Sequence, residues 1–224
     1  MKNKSKAFLL ILFALIPLCA TYMSFSYRQF LLFTYPTGKA TVILLPLFWI
    51  WKNKFSWKDV INSWGLKFQK KDIRWGILTG SVISVPIFIL YGTVFYKLLD
   101  ADGIVSSLPP IVLQYFWVTA VFISLWNSFM EEYFWRAFLL GAMVPNFGWA
   151  KSILINGLFF GFHHYIMLDA YFHWGIALFL TFGTMAGGWI WSWMRMKGLS
   201  IWACYISHVL IDFSVMVIGY IIIS

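Results

Sequence analysis

Apolar residues run along this chain in stretches long enough to cross a bilayer, and polar residues gather between them. Seven such stretches are expected, roughly 7–27, 36–51, 75–96, 117–141, 151–170, 174–194 and 199–223. Each is read as a helix, because about 20 apolar residues at ~1.5 Å rise match a hydrocarbon core of about 30 Å. The second stretch is short and contains Pro46, so a tilt or kink is expected there. Residues 108–116, "LPPIVLQYF", extend the fourth helix or form a short eighth element. The N-terminal "MKNKSKAFLLILFALIPLCATYMSFSY" has the basic start of a signal peptide. Its apolar run from Ala7 to Phe25 is too long for a signal core, no small-x-small site precedes a polar start, and Cys19 lacks the small neighbour of a lipoprotein cysteine. A retained first span is expected.

Composition agrees with that pattern. Of the 224 residues, 61% are hydrophobic and 11% charged, against about 25% charged in an ordinary soluble domain. The expected fold class is all-α, a polytopic transmembrane bundle of about seven to eight spans forming one integral membrane domain over 1–224. The net charge of +9 could suggest nucleic acid. Its placement points to lipid head groups and topology instead, so the bilayer is the expected partner and nucleic acid is not. With the N-terminus in the cytoplasm, Lys2, Lys4, Lys6, the loop 52–74, Lys151, Arg195 and Lys197 face inward, and only Arg28, Lys39 and Lys97 face outward. This bias predicts an N-in, C-out protein of the cell membrane, inner or plasma. Trp49, Trp51, Trp75, Trp191 and Trp193 are expected at the interfaces. Cys19 and Cys204 are too isolated for a disulfide or thiolate metal site and are read as buried thiols. Gly76–Gly80, Gly157–Gly161 and Gly183–Gly187 have small-xxx-small spacing and are read as close helix contacts.

The chemistry must then lie within the spans, where the notable ionisable residues are Glu131, Glu132, Arg136, His163, His164, His208 and Asp212. Each would cost at least ~2–3 kcal/mol on an isolated lipid-facing helix, so each is expected to face a partner or a wet cavity. Glu132 and Arg136 are four apart and can pair on one helix face. Glu131 is turned about 100° away, so the two glutamates cannot share one task. Glu132 reads as a neutralised, positioning carboxylate, and Glu131 as a base or ligand, with Asn127 one turn before it. His164 follows Gly161 by three residues. His163 is expected to point away from that face, and Asp169 and His173 to lie at a membrane edge. In the last span His208 and Asp212 are four apart, so the aspartate can orient the imidazole, share its proton or bind the same water or metal. By span limits these groups lie near one depth. They could polarise a water for attack on a carbonyl, or hold a divalent cation.

"EEYFWR", the Phe160-xxx-His164 of "FGFHH" and the His208-xxx-Asp212 of "HVLID" resemble, in order and spacing, the EExxxR, FxxxH and HxxxN/D motifs of the CPBP family, the CAAX-protease and bacteriocin-processing membrane proteins. The resemblance covers residues 117–223. It implies a bundle of seven or eight spans with an intramembrane active-site cavity, in which Glu131 and His164 activate water, His208 and residue 212 stabilise the oxyanion, and Glu132 and Arg136 hold the motif helix. Catalysis by zinc or another divalent metal on Glu131, His164, His208 and Asp212, or without any metal, is left open. Aspartate replaces the asparagine expected of eukaryotic-type prenyl endopeptidases at 212, and an ionised carboxylate cannot donate to an oxyanion. Asp212 is therefore protonated, orients His208, or binds metal. The leading expectation is an intramembrane endopeptidase acting on a prenyl-type tail, a leader or another membrane-associated peptide. A non-catalytic immunity or scaffold protein binding a peptide in the same cavity is the alternative. An ion-coupled transporter is disfavoured because the halves show no internal symmetry. HExxH, GxGD and GxSx signatures are absent.

Overall fold

The computed structural model describes residues 4–26 and 31–224; Lys2 and Arg28, counted above for topology, lie outside the described residues. Among the described residues all regular structure is helical. Four long helices follow the predicted spans closely. These are α1 (Lys4–Ser26), α2 (Leu31–Asn53), α3 being the short Trp57–Ser63, then α4 (Lys70–Leu90), which continues through a π stretch (Tyr91–Phe95) into α5 (Tyr96–Leu98). The stretch around 108–116 holds its own short helices, α6 (Ala101–Ser107) and α7 (Pro110–Gln114). The fourth span is a helical run of α8 (Phe116–Val121), a π stretch (Phe122–Asn127), α9 (Ser128–Glu132), a second π stretch (Tyr133–Leu139) and α10 (Leu140–Phe147). α11 (Trp149–Leu168), α12 (Trp174–Met196) and α13 (Ile201–Ile223) complete the chain.

Local chemistry sets several of these limits. Ser56 caps α3 in a reciprocal box with Asp59, whose backbone N–H donates to the Ser56 hydroxyl at 3.2 Å. Gly148, at φ 79°, takes a conformation that side chains resist, ending α10 and starting α11. Ser5–Phe25, Lys70–Leu98, Trp174–Met196 and Ile201–Ile223 are long and apolar enough to cross a membrane. Large apolar side chains lie on outer surfaces, with Phe8 65%, Val82 62% and Val118 68% exposed, an arrangement that suits lipid and not water. This is an integral membrane protein.

The chain packs as two compact units, one of Met1–Phe68 with Met130–Ile201, the other of Gln69–Phe129 with Trp202–Ser224. In the first, Phe13, Trp49, Trp64 and Phe138 form an aromatic cluster, with Phe13 and Trp49 edge to face at 6.0 Å. Lys6 donates to Asn53 Oδ1 at 2.7 Å, which sets the start of α1 beside the end of α2, as alternating spans require. α11 and α12 approach closely. A side chain at Gly157 would overlap Trp189, one at Gly161 would overlap Met185, and one at Gly188 would lie 3.1 Å from the Gly157 Cα. In the second unit, Gly76 and Gly80 let α4 pack on Ile206 and Leu210 of α13.

Three sequence expectations are corrected. A side chain at Gly183 would meet nothing within 4 Å, so the third glycine pair is not a helix contact and Gly188 takes that role. Trp49 and Trp191, expected at interfaces, are core residues at 4% and 3% exposure, because aromatic and cationic partners meet them there. Cys19 lies exposed on α1, and only Cys204 is buried.

Candidate active site

A π turn takes in one extra residue and rotates everything after it relative to a uniform α-helix. Glu131 and Glu132 sit on α9, the short α segment between two such stretches, and both are buried. Asn156 of α11 donates to the Trp135 carbonyl at 2.8 Å within the second π stretch, and Ser192 of α12 donates to Asn156 Oδ1 at 3.2 Å. These buried bonds tie the motif helix to its neighbours.

Glu132 Oε1 lies 3.2 Å from Arg136 Nη1, with both side chains wholly buried, so the pair expected from the four-residue spacing is present. The guanidinium carbon of Arg136 is 4.2 Å from the Phe160 ring centre and 4.8 Å from that of Trp191. Two aromatic faces thus stabilise the cation beside its carboxylate. Phe160 has a second task, since its carbonyl lies 2.8 Å from His164 Nδ1. A carbonyl only accepts, so Nδ1 carries the proton and the lone pair of His164 is at Nε2. That Nε2 faces Glu131 Oε2 at 3.9 Å.

Sequence reasoning missed two further groups at Glu131. His163 Nε2 lies 4.0 Å from Glu131 Oε1, and its ring meets that of His164 edge to face, with the two Nδ1 atoms 3.1 Å apart. The 100° rotation separates the two histidines at their Cβ atoms, but a carboxylate arriving from another helix can lie within reach of both rings. Lys39 Nζ lies 3.6 Å from Glu131 Oε1. It was assigned to an outer loop because the second span was taken to start at residue 36. α2 starts at Leu31, which brings Lys39 inside the helix.

These residues also test the fit of a metal. Among the described residues, no group of three or more His, Cys, Asp or Glu side chains is arranged to hold one. A zinc ion at ~2.0–2.1 Å from both Glu131 Oε2 and His164 Nε2 would need an angle of about 150° across the 3.9 Å gap, far from tetrahedral. A water at ~2.8 Å from each needs about 90° across the same gap, an ordinary hydrogen-bond geometry. As placed, the pair fits a water and does not fit tetrahedral zinc.

The second unit holds the other motif. His208 is buried, and its Nε2 lies 3.5 Å from Asp212 Oδ1. The buried Ser128 hydroxyl donates to Asp212 Oδ2 at 2.6 Å. Asp212 thus accepts from Ser128 and faces the imidazole, which is the geometry of a carboxylate that orients His208. Ser128 carries no spacing signal in the sequence, because a lone helical hydroxyl usually bonds its own backbone. Asn127, half-buried, closes the first π stretch. Of the predicted site residues, Glu131, Glu132, Arg136, Phe160 and His164 belong to the first unit, and Asn127, His208 and Asp212 to the second.

Residues 113–214 match the family described as type II CAAX prenyl endopeptidase Rce1-like. No curated protein and no solved structure matches the chain. The matched segment contains Glu131, Arg136, His164, His208 and Asp212, and with them all three motifs on which the resemblance was drawn. Residues 113–214 are therefore an Rce1-like, type II CAAX prenyl endopeptidase domain of the CPBP/CAAX protease family.

Proposed function

We propose that this protein is an intramembrane endopeptidase in which Glu131 and His164 together activate a water molecule. The observation that carries the reading is the facing of Glu131 Oε2 and His164 Nε2 across 3.9 Å, with the His164 tautomer fixed by Phe160. A water between them donates one proton to each acceptor and keeps its lone pairs for the substrate carbonyl. As the new C–O bond forms, the water's proton passes to the carboxylate or the imidazole. The same group then delivers it to the amide nitrogen as the C–N bond breaks. General acid–base action of this kind contributes about 10²–10⁴-fold. The resemblance gives oxyanion stabilisation to the HxxxD motif. With Asp212 acting as an acceptor, donation to the oxyanion falls to His208. The proposed substrate is a membrane-associated peptide, either a prenyl-type tail or a leader, and no step is assigned to a metal.

The test is cleavage of prenylated and leader-type peptides by purified protein in lipid nanodiscs, beside Glu131→Gln and His164→Ala variants that elute as folded protein. Glu131→Gln is expected to lower turnover at least about 10³-fold and His164→Ala at least about 10²-fold. Chelator is expected to leave wild-type turnover unchanged. Cleavage by Glu131→Gln at a rate near wild type refutes the reading.

A further inference from the structure

Adjacent glutamates in one buried turn raise a question of charge: each needs its own compensation, and Arg136 serves Glu132. From the arrangement around the other carboxylate we infer that Lys39 and His163 are positioning residues that hold Oε1 of Glu131, leaving Oε2 as the oxygen that works with His164. This rests on the reading of Glu131 as the base.

The two oxygens of Glu131 have different neighbours. Oε1 has the Lys39 ammonium at 3.6 Å and His163 Nε2 at 4.0 Å, whereas Oε2 has His164 Nε2 at 3.9 Å. Lysine has donors and no acceptor, so it can only anchor the oxygen it faces. The proton on His163 follows from its neighbour. His164 Nδ1 carries a proton directed at the Phe160 carbonyl, and His163 Nδ1 lies 3.1 Å from that nitrogen. Two N–H groups cannot face each other at that distance, so His163 Nδ1 bears the lone pair and its proton is on Nε2, toward Oε1. The imidazoles are thus set as opposite tautomers, one offering a donor to Oε1 and the other a lone pair beside Oε2. Lys39 has a separate reason to be there. An ammonium in the body of α2 is costly unless it meets an anion, and its side chain is mostly covered, at 22% exposure, on the Glu131 carboxylate. Anchoring one carboxylate oxygen fixes the direction of the other, and small errors in that direction are expensive in rate.

The experiment combines kinetics and unfolding. Lys39→Met is expected to lower kcat at least about tenfold with KM changed less than about threefold, and Lys39→Arg to recover most of the loss. His163→Phe is expected to lower kcat in the same way, and His163→Gln, which keeps a side-chain donor, to recover part of it. In unfolding, Lys39→Met and Glu131→Gln are each expected to lower the midpoint, and the double variant to lie above the additive sum. A wild-type kcat in Lys39→Met, or strictly additive midpoints, overturns the inference. Cleavage by Glu131→Gln would instead sink the base role of Glu131, while coupled midpoints would still report the Lys39–Glu131 contact.

Discussion

Replacing Glu132 by glutamine removes the carboxylate 3.2 Å from Arg136 and leaves a guanidinium with no solvent exposure beside two aromatic rings. Breaking a buried ion pair from one side costs about 3–5 kcal/mol, since the remaining charge stays desolvated. The faces of Phe160 and Trp191 offset part of that, at up to ~2 kcal/mol for a desolvated cation–π contact. The net expectation for Glu132→Gln is a loss of about 2–4 kcal/mol. Arg136→Lys keeps the charge but gives up the planar group that lies against both rings, and is expected to cost about 1–2 kcal/mol. The double variant Glu132→Gln/Arg136→Met removes both charges and is expected to recover more than half of the single-variant loss. The assay is reversible unfolding in mixed micelles of a mild detergent with sodium dodecyl sulfate, followed by tryptophan fluorescence. A Glu132→Gln midpoint equal to wild type would refute the reasoning, because a buried, solvent-free guanidinium cannot lose its counter-charge without consequence.

Other consequences follow from single contacts. Ser128→Ala withdraws the 2.6 Å hydrogen bond to Asp212 and is expected to lower kcat about tenfold, as a bond to a charged group of ~1.5–3 kcal/mol allows, with little change in KM; an unaltered kcat tells against Asp212 as the orienting group. Asn156→Ala removes the donor to the Trp135 carbonyl and is expected to cost about 1–3 kcal/mol in the same unfolding assay, whereas no loss would mean that the carbonyl does not depend on it. Gly161→Leu drives a side chain into Met185 and is expected to destabilise by about 1–3 kcal/mol or more, while Gly183→Leu, in open space, is expected to stay near wild type; equal effects would contradict the α11–α12 contact.

How much of this could be read from the sequence depends on whether the controlling interaction is local. The helices were legible because apolar length follows from bilayer thickness, and α12 and α13 begin within two residues of their predicted starts. The Glu132–Arg136 and His208–Asp212 pairs were legible because four-residue spacing places them on one helix face. Lys39 was not, because it reaches Glu131 from a helix far away in the chain, and only coordinates bring the two together. His163 was excluded by a rotation argument that holds for a single helix and fails when a partner approaches between two side chains. The π stretches flanking α9 leave no trace in hydrophobic periodicity, yet they set the directions of both glutamates.

The division of labour between Glu131 and Glu132 is the core of the account, and one paired measurement addresses it most directly: peptide-cleavage rate and unfolding midpoint for Glu131→Gln beside Glu132→Gln. The expected result is that Glu131→Gln remains folded and loses turnover at least about 10³-fold, while Glu132→Gln is chiefly a stability defect. Turnover retained by a folded Glu131→Gln protein would contradict it.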